Sequence, residues 1–465
     1  MAWLPVLSGR RGRPGSGLQW RDRTGFAPEF LGGRSRAIFS QLYGKLKGVF
    51  AQIVTVAGIG AEGWQGLPPL TRDAISQAAV IAGGPRQLAL LPDEVPGFRV
   101  PLPSPLLPGL RELVADHVGH ADARGAGLVV LASGDPMFFG IGSTLVRLLG
   151  PELVRVLPHP SSVSLAAARL GWPLDDTDVV SLVGRPRELL HPLLQPGRRV
   201  LVLTAEPSAA AGIRGLLDAR GFGASPVTLL ADLGAVGEWV APVPADGGPP
   251  HSRLAIVAVE CRLDPAAAPL PRVPGLPDDA FEHDGQLTKR ELRACALAAL
   301  APVPGQLLWD VGAGSGSVGI EWMRVHPASR AVAVEPRADR RDRIARNAAA
   351  LGVPGLTLVA GSAPQALAGL PAPDAVFIGG GVTVPGVVDA CWAALGPGGR
   401  LVANAVTVEG QAVLTGCGRR LGGTLTRIGV EHAAALGSFT AWRPALAVVQ
   451  WSVRKPPGQE PQESP

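Results

Sequence analysis

The run Leu307-Leu-Trp-Asp-Val-Gly-Ala-Gly-Ser-Gly-Ser-Val-Gly-Ile-Glu321 leaves the chain little choice of local fold. A short apolar stretch, Leu307 to Trp309, leads into an acid, Asp310, and then a glycine-rich turn of Gly312, Ala313, Gly314, Ser315 and Gly316. A helical stretch follows from Ser317, so the local order is strand, tight loop, helix. Residues without a Cβ let the backbone turn sharply and lie directly against a ligand. The helix that follows offers free N–H groups and a positive dipole end to a carboxylate or phosphate. The next apolar run, Ala331 to Val334, ends in a second acid, Glu335, whose carboxylate can accept hydrogen bonds from both hydroxyls of a ribose. The plain alternative is an ordinary β–α turn. The two acids favour a nucleoside-cofactor site at the carboxyl edge of a parallel sheet.

Gly314 to Gly319 can be forced into the G-x-G-x-x-G spacing of a dinucleotide site. The whole loop, with Asp310 before G-x-G-x-G, instead resembles the first motif of the Rossmann-like S-adenosylmethionine methyltransferases. In that family the motif acid lies near the amino-acid end of the cofactor.

With 465 residues, the chain has room for about three compact units. Apolar residues make up 46% and charged residues 17%, enough to build real cores. The 61 glycines and 46 prolines stay below the ~25–30% share typical of low-complexity disorder. No apolar run approaches the ~18–20 residues of a membrane span. The net charge is +5, yet residues 1–50 carry nine Lys and Arg against two acids, so the remaining 415 sum to −2. The body therefore lacks the basic surface of a nucleic-acid binder. Cys261, Cys295, Cys391 and Cys417 lie far apart, which indicates neither a disulfide framework nor a zinc site and fits a reducing cytoplasm.

Residues 1–50 are expected to be a disordered basic extension, or the product of a start codon placed too early. Arg10-Arg11 is not followed by the apolar segment of an export signal. Residues 51–262 then alternate strands and helices, an α/β pattern with its site at strand ends. Ile53 to Ala57 reads as a buried strand running into Gly58-Ile-Gly60-Ala-Glu-Gly63. That glycine spacing suits a dinucleotide, but Pro68 and Pro69 prevent a helix from starting at the last glycine. The helix is expected from about Leu70 to Ala79. Leu128 to Ala132 is a strand ending at Ser133-Gly134-Asp135-Pro136, which alone reads as a β-turn. Val154 to Leu157 ends at His159-Pro160-Ser161-Ser162.

These blocks, in this order and together with Ser181-Leu-Val-Gly-Arg185, resemble the tetrapyrrole (corrin/porphyrin) methyltransferase family. The nearest branch is the one that methylates carbon 5 of a precorrin ring; one departure is Val183, where that branch is expected to carry histidine. The resemblance implies a two-lobed fold that holds S-adenosylmethionine at Gly58, Gly60, Ser133, Gly134, Asp135, Pro136, Ser161 and Ser162.

Residues 263–280 carry five prolines and are expected to be a semi-rigid linker between separate cores. Residues 281–455 form the second unit, with about seven strands. Thr288-Lys-Arg-Glu291 reads as a capping box. Arg290 and Arg293 read as a solvated face, or as partners for acidic substrate arms. Ala433 to Pro444 is expected to break the chain between the last two strands, which then pair. Residues 456–465 read as a disordered tail. The Thr288 to Arg293 segment, the Trp309 to Ser317 loop and Ile320-Glu-Trp322 resemble the precorrin carbon-15 methyltransferases, which also decarboxylate an acetate arm. That match implies cofactor contacts at Thr288, Gly312, Ala313, Gly314, Ser315, Gly316, Glu335 and Ala363.

Both resemblances in one chain point to the bifunctional, decarboxylating precorrin-6Y methyltransferases of cobalamin biosynthesis. They imply two S-adenosylmethionine sites, methylation at carbons 5 and 15, and loss of CO₂ from the carbon-12 acetate to give a precorrin-8. Such chemistry rests on alignment of donor and ring carbon at ~3–3.5 Å. This agrees with a sequence that offers no Ser-His-Asp order, no metal cluster and no Walker loop, and in which no catalytic acid or base can be named. Gly379-Gly-Gly381 also stands where amino-group methyltransferases commonly carry Asn/Asp-Pro-Pro-Tyr/Phe. The expectation is a cytoplasmic homo-oligomer acting on a precorrin, without nucleic-acid or membrane partners. The competing readings are an RNA methyltransferase, through the second unit alone, and a non-catalytic carrier of corrinoid intermediates.

Overall fold

The computed structural model describes residues 54–118, 127–205, 209–243 and 255–457. The expectations for residues 1–50 and for the end of the 456–465 tail fall outside these. So do the first residues of the opening strand.

The N-terminal unit is built from two five-stranded sheets. The first is wholly parallel, in the spatial order Phe98–Pro101, Val80–Gly83, Leu128–Ser133, Val54–Ile59 and Val154–Leu157. It is buried on both faces, which is why its central strands read as unbroken apolar runs. Val54 and Val56 point into one core cluster, Ala57 and Ile59 into another. The second sheet is mixed, in the order Thr177–Ser181, Arg199–Thr204, Ala255–Glu260, Val227–Ala231 and Trp239–Pro242. Only its first pair is parallel. Pro68 and Pro69 keep the α-helix away from the glycines, as expected: only a short 3-10 turn, Gly63–Gly66, starts at the last of them, and the α-helix spans Pro69–Ser76, ending short of the expected Ala79.

The C-terminal unit holds one seven-stranded sheet. Its order is Thr357–Ala360, Arg330–Glu335, Leu307–Val311, Ala375–Ile378, Arg400–Ala405, Val448–Arg454 and Thr424–Ile428. The first five are parallel; the last two run antiparallel to their neighbours. Alternate residues serve opposite cores: Trp309, Val311, Val332 and Val334 pack on one side, Leu308, Ala331, Ala333 and Phe377 on the other. The last two sheet strands pair as expected, but the segment between them is no simple break. It is a second hairpin, Glu431–Leu436 with Phe439–Pro444. Among the described residues, no helix is long and apolar enough to cross a membrane.

Three expectations around the start of this unit fail, all for one reason. Thr288 and Glu291 form no capping box: the helix runs Arg290–Leu300, and Lys289 sits at its N-cap without a side-chain bond. Arg293 is not on a solvated face but fully buried. Its Nε bonds Glu321 Oε1 at 2.6 Å, and Nη1 reaches Thr288 O at 2.5 Å and Asp278 Oδ1 at 3.3 Å. Nη2 donates to Leu276 O, and the guanidinium stacks over Phe281 at 4.7 Å. Glu321, equally buried, accepts in turn from Gly275 N and Leu276 N at 2.6 and 2.9 Å. The proline-rich segment is therefore not a free linker. Leu276 and Phe281 belong to the core of the C-terminal unit, and Leu270 packs against it. Its upstream part leans on the first unit instead, with Asp264 N bonding Gly221 O at 2.8 Å.

A buried charge that loses its partner is costly, so Arg293→Ala is expected to destabilise the C-terminal unit by about 3–5 kcal/mol. Urea unfolding reads this directly. A loss below about 1 kcal/mol, the range of exposed pairs, contradicts the role given to this ion pair.

Candidate functional site

The first candidate site lies where the two N-terminal sheets face each other. Val54–Ile59 and Leu128–Ser133 are adjacent and in register, Ile59 opposite Ser133, so their carboxyl-end loops meet. A Cβ on Gly58 would lie 2.2 Å from Gly134 O and 2.7 Å from His159 Cβ. Only glycine permits this approach of backbone to backbone. A cavity of about 320 Å³ opens beside it. Gly60, Ser133, Gly134, Asp135, Ser161 and Ser162 all line it. Gly58 and Pro136 do not; they sit behind and shape its wall.

Several of these side chains already have partners. Ser161 Oγ accepts from Ser164 N at 3.0 Å and caps the helix Ser162–Leu170. Asp135 Oδ1 accepts from Met137 N at 2.8 Å, which holds the Gly-Asp-Pro turn. Ser133 Oγ accepts from Gln87 Nε2 at 2.6 Å. His159 Nε2 lies 2.5 Å from Glu62 Oε1, which ties the glycine turn to the Pro160–Ser162 loop. Sequence reasoning missed Glu62 and His159 as partners, since they are 97 positions apart in the numbering. It also missed Arg86 and Gln87, which enter the cavity from a short helix, Pro85–Ala89, that carries no motif.

The second candidate site lies at the switch point of the seven-stranded sheet, beyond the carboxyl ends of Leu307–Val311 and Ala375–Ile378. Crevices in open α/β sheets form at such points. Gly312 has φ +69° and backs onto Gly380, whose backbone would lie 2.8 Å from an added Cβ. Gly312, Ala313 and Gly314 are partly exposed, whereas Ser315 and Gly316 are buried. Thr288 and Ala363 are partly buried on neighbouring segments, Thr288 held through its carbonyl by Arg293. Asn347 Nδ2 braces the loop from below, donating to Ser315 O at 3.0 Å.

The two acids are both buried, at 1% exposure for Asp310 and 2% for Glu335. Asp310 Oδ2 accepts from Gly319 N at 2.9 Å, in the first turn of the helix Ser317–Val325. Burial, with a further push from Glu335, raises its pKa to about 7 against the one hydrogen bond that lowers it. Glu335 accepts from Gly314 N at 2.9 Å and from Arg337 N at 3.2 Å. Each oxygen keeps a second lone pair, so the carboxylate both braces the loop and retains acceptor capacity.

Comparison with known proteins gives a consistent picture. The family model for tetrapyrrole (corrin/porphyrin) methylases matches residues 54–246, and that for the precorrin methyltransferase domain matches 279–455. A Sinorhizobium precorrin-6Y C(5,15)-methyltransferase [decarboxylating] is 49% identical over 405 residues, covering 86% of this chain and 96% of its own length. A protein of the same name from Mycobacterium tuberculosis is 45% identical over 413 residues, covering 87% and 100%. The solved C-terminal domain of precorrin-6Y C5,15-methyltransferase from Rhodobacter capsulatus is 49% identical, covering 40% of this chain and 99% of its own, with a TM-score of 0.38.

An acid whose pKa is raised in the folded state keeps a proton that the unfolded chain has released. Stability should therefore fall as pH rises from about 4 to about 7. Asp310→Asn removes this titration. Its unfolding free energy, from urea titration, is expected to drop less than that of the wild type between pH 5 and pH 8, by about 1 kcal/mol or more. Parallel pH profiles for the two proteins contradict this.

Proposed function

The chain belongs to the precorrin-6Y C(5,15)-methyltransferase (decarboxylating) family, and from that premise we propose a division of labour between its two sites. The protein is a C-methyltransferase of cobalamin biosynthesis that methylates a precorrin at carbons 5 and 15 and decarboxylates it. In our reading the N-terminal cleft methylates carbon 5. The crevice of the C-terminal unit methylates carbon 15 and releases CO₂. Each holds one S-adenosylmethionine, two per chain.

The single observation that carries this reading is that each half independently places side-chain-free backbone at the carboxyl edge of a parallel sheet, at Gly58 against Gly134 and at Gly312 against Gly380. At both places the glycines let two loops pack backbone on backbone, which leaves the neighbouring main-chain groups of those loops to meet a nucleoside. Gly60, Ser133, Gly134, Asp135, Ser161 and Ser162 would hold it in the first, with Gly58 and Pro136 shaping the wall. Thr288, Gly312 to Gly316, Glu335 and Ala363 would hold it in the second. S-adenosylmethionine, when bound, supplies a strongly electrophilic methyl group. What remains for the chain is to exclude water and to align a ring carbon with that methyl at ~3–3.5 Å. The new C–C bond forms as the S–CH₃ bond breaks. In the decarboxylation, the C–C bond to the carboxylate breaks as its electron pair enters the conjugated ring, and the arm carbon then takes up a proton from water to end as a methyl group, so no side chain has to act as a base.

A homo-oligomer is part of the proposal. It is supported by the hairpin Glu431–Leu436 and Phe439–Pro444, which leaves Leu436, Phe439 and Trp442 exposed at 61, 77 and 69%. A cytoplasmic setting is supported by four thiols that form no disulfide.

Calorimetry on the full-length protein should give two S-adenosylmethionine per chain. Gly58→Ala and Gly312→Ala should each reduce this to one. The first should lose methylation at carbon 5 and keep CO₂ release; the second should show the reverse. CO₂ release that depends on Gly58 and not on Gly312 refutes the assignment, and a wild-type stoichiometry of one refutes the second cofactor site.

A further inference from the structure

Backbone strain is gathered at the N-terminal cleft. Three described non-glycine residues have positive φ: Phe139 (54°), Asp232 (47°) and Ala301 (47°). Ala301 is a helix C-cap, an ordinary place for that conformation. The other two line the cavity. A bulky residue forced into the left-handed region costs of order 1–3 kcal/mol, and such costs cluster where a site needs a particular side-chain direction.

In Phe139 that direction is outward. Its ring packs edge-on to Phe138, 4.8 Å between centroids, and lies under the Arg185 guanidinium at 5.6 Å. Met137, Phe138, Phe139 and Val183 are 46, 40, 46 and 50% exposed. The last three line the cavity. These residues make an apolar shelf at a polar cleft, larger than a scatter of single exposed residues.

Arg86 faces the same cavity. It is half-buried, and its one hydrogen bond is a long one, Nη2 to Ser133 Oγ at 3.3 Å. Among the described residues no carboxylate lies within ion-pair distance of it; Asp232 attracts it only from farther away. A guanidinium withdrawn from water without a counter-ion is unfavourable unless an anion arrives to meet it.

We infer that this shelf is the seat of the precorrin in the N-terminal reaction, with the Phe138–Phe139 pair carrying the face of the macrocycle and Arg86 receiving one of its carboxylate arms. Arg185, held over Phe139, adds a second cation to the shelf. This rests on the reading that the cleft methylates carbon 5, and it places substrate recognition outside every motif that marks the cofactor loops.

The full-length variants Arg86→Gln and Phe139→Gly test it, with a precorrin-6 substrate and S-adenosylmethionine as probes. Arg86→Gln should raise KM for the precorrin in carbon-5 methylation by about 10- to 100-fold, the range of a lost charge-assisted hydrogen bond. Its S-adenosylmethionine affinity, read by calorimetry without substrate, should stay within about twofold of the wild type, and Arg86→Lys should recover part of the loss. Phe139→Gly should also raise KM, yet melt no lower than the wild type, because glycine adopts the left-handed conformation without strain. A drop in S-adenosylmethionine affinity with an unchanged precorrin KM assigns Arg86 to the cofactor carboxylate and overturns the inference. A lower melting temperature with an unchanged KM makes Phe139 structural and overturns its part. If carbon-5 methylation survives Gly58→Ala, it is the underlying assignment that fails.

Discussion

One buried ion pair organises the C-terminal half. Arg293 and Glu321 sit on two helices, Arg290–Leu300 and Ser317–Val325, neither of which could bury a lone charge. Between them they satisfy Gly275 N, Leu276 N, Leu276 O and Thr288 O. An irregular, proline-rich strand of chain has no ladder to take up its backbone groups, and unpaired buried amides are costly. The pair supplies what a sheet would have supplied. It also holds the Thr288 carbonyl and sets the helix on which Glu321 lies, the same helix whose first turn donates to Asp310. The fold and the candidate site are therefore braced by the same two side chains.

The two halves reach a similar solution by different architectures. In the first, a parallel sheet and a mixed sheet face each other across a cleft, and the glycine contact is between the ends of two adjacent strands. In the second, one sheet reverses its strand order, and the glycine contact crosses the switch point. Both pack glycine backbone against backbone at the carboxyl ends of strands. The side chains around them come from different elements: Arg86 from a short helix, Phe139 from the turn after Gly134-Asp-Pro136, and Glu335 from a strand end.

Much of this was legible in the sequence. Apolar runs of five or six residues ending in Gly, Ser or Asp marked the strands of both parallel sheets, because strands buried on both faces have no polar positions. The glycine loops were legible for the same reason that they matter: no other residue fits at Gly58 or Gly312. What escaped reading was long-range pairing. Thr288 and Glu291 have capping-box spacing, but the neighbouring Arg293 bonds the Thr288 carbonyl from inside, and the helix begins two residues later. Arg293 looked like a surface residue because its counter-ion is 28 positions away on another helix. The proline count of residues 263–280 suggested a spacer, whereas Leu276 is core and Leu270 packs against it. The hairpin between the last two sheet strands was hidden because its residues alternate weakly and are mostly exposed on both faces.

The join between the halves has a mechanical corollary. Asp264 and Ala267 are still engaged with the first half, and Leu270 packs on the second while its carbonyl accepts from Gln195 at 2.9 Å. The slack is two residues, Ala268 and Pro269, a span of about 7 Å even when drawn straight. The halves also touch directly, Gly352 lying against Pro192 and His191, so the short join is one strand of a packed contact. A cut meant to free the second half has to fall at Ala268; even a few residues later, it removes part of the wall it was meant to spare.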